Sequence, residues 1–186
     1  YADREGETDS AVALLNALGF EVEMADLPCC GEPLVLSNEL GKARAQARKF
    51  TSEAQRYLAK DMPLVSPCPA CALTVRYQYP WLIGEDAGNL PERFVELFKF
   101  VFDNAGRQRL SKVFKRPFED KVVNFRSCHY AALSDIDHIG RVLEAVPGLS
   151  VETVEEVCCG LAGTYGIKVE NREVSGGLAK ALEDKL

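Results

Sequence analysis

A chain of 186 residues, 47% hydrophobic and 27% charged, has the composition of an ordinary globular protein and can bury a good core in one domain or two. The net charge of −6, with no basic cluster interleaved with aromatics, excludes nucleic acid as the expected partner. No apolar run approaches the roughly eighteen residues of a membrane span, and no signal peptide is evident.

In chain order, apolar spacing predicts a helix over residues 9–18, closed by Gly19, then a strand over 20–25 that delivers Cys29-Cys30-Gly31. A long helix follows over 38–60, with Leu40, Ala43, Ala47, Phe50, Ala54 and Tyr57 at steps of three and four. Its Lys42, Arg44, Arg48 and Lys49 form a basic face, read as solvated, with an acidic partner as the minority reading. Pro63-Leu64-Val65-Ser66 reads as a buried parallel strand ending at Cys68-Pro69-Ala70-Cys71. Residues 91–104 read as a helix apolar on more than one face, buried between lobes or else facing a partner or membrane surface. The basic stretch 107–121 reads as a connection.

A strand over 121–127 then leads to Cys128-His129. Ser134-x-x-Asp137 is the expected capping signature of a helix with Ile136, Ile139, Leu143 and Val146 on one face, stopped by Pro147-Gly148. A second strand from Leu149 leads to Cys158-Cys159-Gly160. Strands alternating with helices define an α/β fold: two pseudo-symmetric lobes, each a small parallel sheet flanked by helices, with cysteine loops at the carboxyl ends of the strands. The expected units are 1–106 and 121–186, joined by 107–120.

Seven cysteines, six of them in close pairs, need a chemical explanation. An odd number argues against a closed disulfide framework, and adjacent pairs with a C-x-x-C favour metal. The two thirteen-residue segments ending in Cys-Cys-Gly, from Gly19 and from Gly148, both carry Val fourth and stand 129 residues apart, so a unit is duplicated. The same offset maps Tyr130 onto Tyr1, Cys128 onto a position ahead of Tyr1, and Cys68 and Cys71 onto positions beyond Leu186. The parent unit therefore reads C-x29-C-C-x37-C-x-x-C, and the chain reads as a fragment holding neither five-cysteine site whole.

Zinc needs four ligands, which Cys29, Cys30, Cys68 and Cys71 can supply, but neighbouring thiolates direct poorly at one small ion. A multi-iron cluster removes that difficulty, and the ordinary ferredoxin cysteine run is absent. A thioredoxin-like role for Cys68-Pro69-Ala70-Cys71 is disfavoured by the cysteine pair. Gly160-x-x-Gly163-x-x-Gly166 reads as tight backbone around a cluster rather than a dinucleotide fingerprint. His129 is a candidate for tuning the site or handling protons, with a structural role equally open; Lys168 is a candidate positive charge beside it, and His138 reads as a surface residue.

The stretches L-L-N-A-L-G from Leu14, C-C-G-E-P-L from Cys29, Cys128-His129, V-P-G-L from Val146 and C-C-G-L-A-G-T-Y-G-I-K from Cys158 resemble the cysteine-rich CCG domain family. That family includes the B subunit of heterodisulfide reductase and the iron–sulfur subunits of glycolate oxidase, lactate-utilisation and anaerobic glycerol-3-phosphate dehydrogenase complexes, the last type being nearest. The resemblance implies a non-cubane [4Fe–4S] cluster in each lobe, held by Cys29, Cys30, Cys68 and Cys71 in the first and by Cys128, Cys158 and Cys159 in the second, with zinc an alternative in the first site. As a fragment, the chain is also open to being metal-free.

The implied function is an electron-transfer subunit or domain between a flavoprotein dehydrogenase or reductase and membrane quinone. It would be cytoplasmic, peripheral at the inner membrane through its partners. Disulfide reduction at the cluster is the enzymatic alternative, and a zinc-stabilised interaction module is a third.

Overall fold

Two short parallel pairings organise the computed structural model, which describes residues 6–186. Strand β1 (Leu64–Ser66) pairs with β2 (Phe94–Glu96), Leu64 opposite Phe94. Strand β3 (Lys121–Phe125) pairs with β4 (Ser150–Val154), Lys121 opposite Ser150. Helices flank both sheets, so the expected α/β class holds. Tyr1, the mapped counterpart of Tyr130, lies outside the described residues.

Helix α1 (Glu7–Ala17) turns at Leu18 and Gly19 into residues 20–25. These run without secondary structure, where the sequence predicts a strand. Among the described residues, 21–25 neither give nor accept a backbone–backbone hydrogen bond, so strand-like composition lacks the pairing that makes a strand. Helix α2 (Glu32–Leu36) follows the first Cys-Cys-Gly, and α3 (Leu40–Leu58) realises the long helix with its predicted face. Ala43, Ala47, Phe50, Ala54 and Tyr57 are buried. Phe50 meets Tyr79 and Phe94 edge-on, with ring centroids 5.8 and 5.9 Å apart. The basic face is largely committed within the chain: Arg44 donates to the Leu82 carbonyl, Arg48 pairs with Asp86 and Lys42 with Glu39.

Beyond β1 lie α4 (Pro69–Leu73), a π-helical turn over Thr74–Gln78, α5 (Tyr79–Ile83) and the short α6 (Leu90–Arg93). The single helix expected over 91–104 is divided. Phe94, Val95 and Glu96 leave it to pair with β1, and Glu96 accepts from the Lys99 N–H as the cap of α7 (Leu97–Val113). Long-range pairing overrides local propensity there. Leu97, Val101 and Ala105 of α7 are buried; Phe98, Phe100 and Phe102 pack against the same core. The buried reading of this helix is therefore the one observed. Gly106, at φ 64°, kinks α7, and residues 107–113 continue as helix where a connection was expected; the irregular link is 114–120.

Helix α8 (Cys128–Leu133) is capped by Ser127 and α9 (His138–Leu143) by Asp137, not Ser134. The Asp137 carboxylate accepts from Gly140 N and also from Asn124 and Thr153 of the sheet, which fixes the helix start there. The buried face is correspondingly His138, Val142 and Ala145 rather than the expected Ile136, Ile139, Leu143 and Val146. His138, read as a surface residue, is only 2% exposed, its ring centroid 5.1 Å from that of Phe102. The chain ends in α10 (Arg172–Glu183), which the sequence analysis does not anticipate. One core gathers around α3 and α5; the other joins α1, α7 and α9. Among the described residues, no helix is long and apolar enough to cross a membrane.

Candidate metal centre

The first cysteine motif to take shape is the one after β1. Cys68 caps α4, its sulfur 3.5 Å from the Cys71 N–H, and Pro69 takes the first helical position, where no N–H is needed. One helical turn then places Cys71 on the same side as Cys68. Opposite them, Cys29-Cys30-Gly31 turns through Gly31 at φ 84°. The Gly31 N–H points at Cys29 Sγ, 3.4 Å away. Two side chains pin this loop: Gln46 donates to the Cys29 carbonyl at 2.6 Å and Tyr79 to the Cys30 carbonyl at 2.9 Å.

The two motifs meet at Cys30 and Cys71, whose sulfurs lie 3.2 Å apart. Hydrogen bonding to Cys71 pulls the Cys30 thiol below its ordinary pKa, against burial. The same contact, with a second one to Cys68, pushes Cys71 up. Cys30 and Cys68 are buried, Cys71 half-buried and Cys29 exposed.

The second set is more open. Cys128 begins α8, which packs on α4, so the cysteine-bearing helices of the two halves are neighbours. Its sulfur is 3.8 Å from His129 Nδ1, and His129 Nε2 is 3.7 Å from the Glu32 carboxylate. Burial raises the Glu32 pKa, and His129 opposes the rise. Cys158 and Cys128 are exposed and Cys159 half-buried. Gly160 repeats the first loop's geometry, with φ 76° and its N–H 3.3 Å from Cys158 Sγ.

The expected tight backbone at Gly160, Gly163 and Gly166 is observed. A Cβ at Gly160 would overlap the Ser175 carbonyl of α10, one at Gly163 would overlap Leu36 of α2, and one at Gly166 would overlap Ser175 Oγ. Lys168 is exposed, just before a 3₁₀ turn over Val169–Asn171.

Four supporting residues were not legible as such in the sequence: Gln46 and Tyr79 behind the first loop, Glu32 between the two sets, and Glu96. The last is 4% exposed, and the Tyr130 hydroxyl donates to it at 3.1 Å, tying β2 to α8. An acid inside the apolar run Phe94–Phe100 is the signal that marks Glu96.

Seven cysteine side chains, on loops and in the first turns of α4 and α8, have the donor chemistry of zinc or iron–sulfur ligation. Four thiolates around one zinc stand roughly 3.8 Å apart. The 3.2 Å approach of Cys30 and Cys71 is a thiol–thiol contact instead. Among the described residues, no three His, Cys, Asp or Glu side chains form a set that could hold a metal ion. The residues thus fit a thiolate-ligated group in kind, and holding one requires Cys30 and Cys71 to part.

Paired-thiol loops beside short parallel sheets, twice over, define a duplicated cysteine-rich domain. The model of the CCG cysteine-rich domain family matches residues 3–76 and 122–184, one Cys-Cys-Gly in each stretch, and the chain belongs to that family. It is 27% identical over 173 residues to the C subunit of anaerobic glycerol-3-phosphate dehydrogenase from Escherichia coli K12, covering 92% of this chain and 43% of that protein. It is 29% identical over 179 residues to lactate utilization protein A of Oceanobacillus iheyensis, covering 91% of this chain and 69% of that protein. Similarity to the D-2-hydroxyglutarate dehydrogenase of E. coli K12 is 26% over 168 residues, only 16% of that protein. The chain thus spans less than half the length of the glycerol-3-phosphate dehydrogenase protein.

Proposed function

We propose that the chain is an iron–sulfur electron-transfer domain of a flavin-dependent dehydrogenase, handing electrons toward membrane quinone. The observation that carries this reading is the convergence of two separate cysteine motifs, Cys29-Cys30 and Cys68-x-x-Cys71, whose nearest sulfurs, Cys30 and Cys71, would part to admit a metal group. The names of the relatives, two dehydrogenase proteins and a lactate utilization protein, support the same class.

Cys29, Cys30, Cys68 and Cys71 are the ligands proposed for one cluster; Cys128, Cys158 and Cys159 are proposed for the other. Adjacent thiolates that reach different irons favour a non-cubane [4Fe–4S] cluster over zinc in each lobe, the lobes being 1–106 and 121–186. Such a cluster, when bound, accepts and releases single electrons. The chain's own residues hold and tune it. The Gly31 and Gly160 N–H groups point at the sulfurs of Cys29 and Cys158 and orient them. Gln46 and Tyr79 fix the first loop, and burial of Cys30 and Cys68 keeps water from their sulfurs. The proposed partners are a flavoprotein subunit and, through it, the cytoplasmic face of a membrane.

Iron and acid-labile sulfide analysis after purification without oxygen tests the reading, with about four irons per cluster expected. Zinc without iron in protein carrying the whole site would overturn it.

A further inference from the structure

Within the first cysteine set, the closest printed approach of two sulfurs joins two motifs rather than two neighbours. Cys30 and Cys71, 41 residues apart in the chain, bring their sulfurs to 3.2 Å. A disulfide bond is about 2.05 Å long, so roughly 1.2 Å of closure separates this contact from a covalent link. Both sides are held from behind. Tyr79 donates to the Cys30 carbonyl and Gln46 to that of Cys29, while Cys68 and Pro69 start the helical turn that carries Cys71. Cys30 is only 4% exposed and Cys71 half-buried, so a small molecule reaches the pair from the Cys71 side while a bulky one is kept from Cys30.

The other cysteines are placed differently. Cys68 also contacts Cys71, but the two belong to one turn, and a link between them would leave the first loop untethered. A link from Cys30 to Cys71 fixes that loop against α4. Among the described residues the second set offers no such pair: Cys128 Sγ faces His129, and Cys158 Sγ faces the Gly160 N–H.

We infer that in the metal-free chain Cys30 and Cys71 are an oxidative modification site, closing to a disulfide under hydrogen peroxide and thereby shutting the first thiol set to metal. The O–O bond of the peroxide breaks as one of the two sulfurs takes an oxygen, which gives a sulfenic acid and one water. The other thiol displaces that oxygen as a second water, and the S–S bond forms. The two thiols lose two electrons and two protons, and the peroxide takes them up. The bond holds together the two sulfurs that a bound group needs apart, and it withdraws both from ligation. A thiol reductant reopens it by exchange. The inference concerns the empty site, and it stands whether zinc or an iron–sulfur cluster is the occupant.

The test treats the full chain, reduced and stripped of metal by a chelator, with hydrogen peroxide, then alkylates it in denaturant and digests it without reduction. Mass spectrometry should find Cys30 linked to Cys71 as the main intramolecular disulfide, with Cys68 alkylated. The link should vanish in Cys30→Ser and in Cys71→Ser and persist in Cys68→Ser. Zinc alone then probes closure: its affinity for the peroxide-treated chain should fall at least about tenfold and return with a thiol reductant. A main link between Cys68 and Cys71, or between Cys29 and Cys30, would overturn the proposal. So would Cys30 and Cys71 remaining fully alkylatable after peroxide. Equal zinc affinity of the oxidised and reduced chains would refute the closing of the site.

Discussion

Removing the Tyr130 hydroxyl tests whether the buried Glu96–Tyr130 contact joins the two cysteine-bearing halves. In Tyr130→Phe the ring still fills its site, 3% exposed, while the 3.1 Å bond to Glu96 is lost. Glu96 keeps the Lys99 N–H at 2.9 Å, so it is not orphaned, and a net cost of about 1–2 kcal/mol is expected. For a chain of this size that lowers Tm by roughly 2–8 °C. Burial pushes the Glu96 carboxyl above its ordinary 4.5, partly offset by N–H donors from Lys99 and Phe98 and by Tyr130. The native state therefore holds this proton at a pH where the unfolded chain has released it. Its contribution to stability is full below about pH 4.5 and is lost as pH rises through the native value. Glu96→Gln keeps an acceptor for both donors and flattens that decline. Urea unfolding followed by circular dichroism, run for both single variants and the double variant across this range, measures the coupling. A coupling energy of zero, with Tyr130→Phe as stable as the parent, would refute the reasoning.

His138 should give the opposite pH slope. Burial first, then Lys99, holds its pKa below 6.5, with Arg126 acting the same way and Asp103 and Asp137 opposing. Its contribution is thus present above pH 6.5 and fades as pH falls toward the native value; thermal melts of His138→Phe should lack that acid limb. Gly160→Ala should cost about 2 kcal/mol or more, because positive φ and the Ser175 carbonyl both exclude a Cβ. Gly176→Ala on α10 meets open space and should stabilise by up to about 1 kcal/mol, both read by chemical denaturation. In metal-free protein, exposed Cys29, Cys128 and Cys158 should react with a thiol reagent well before Cys30 and Cys68, as mass spectrometry of timed digests would show.

What could be read in advance follows the range of the forces involved. Helix α3 was legible because a row of alanines and aromatics at helical spacing writes its buried face into the sequence. The strand ahead of Cys68 was legible too, because Leu64 and Val65 make a short apolar run closed by Pro67 and Pro69. The strand at Phe94–Glu96 was not, since a stretch apolar on more than one face shows no clear period and β1, its partner, stands about thirty residues earlier. Ser134 and Asp137 both satisfy the cap signature; only the contacts of Asp137 with Asn124 and Thr153 choose between them. That choice shifts the buried face of α9 and puts His138 inside. The cysteine motifs announced donor chemistry, while the approach of Cys30 to Cys71 and the placing of Glu32 beside His129 depend on tertiary packing.

Gly163 closes against Leu36, so the second thiol loop leans on the short helix that the first thiol loop launches. Were a group bound between Cys30 and Cys71 to shift that helix, Leu36 would carry the shift to the second loop, and linkage would make any such coupling between two bound centres mutual. The duplicated halves would then titrate with metal as one cooperative or anticooperative system, and the shape of the binding isotherm would carry the sign of that coupling.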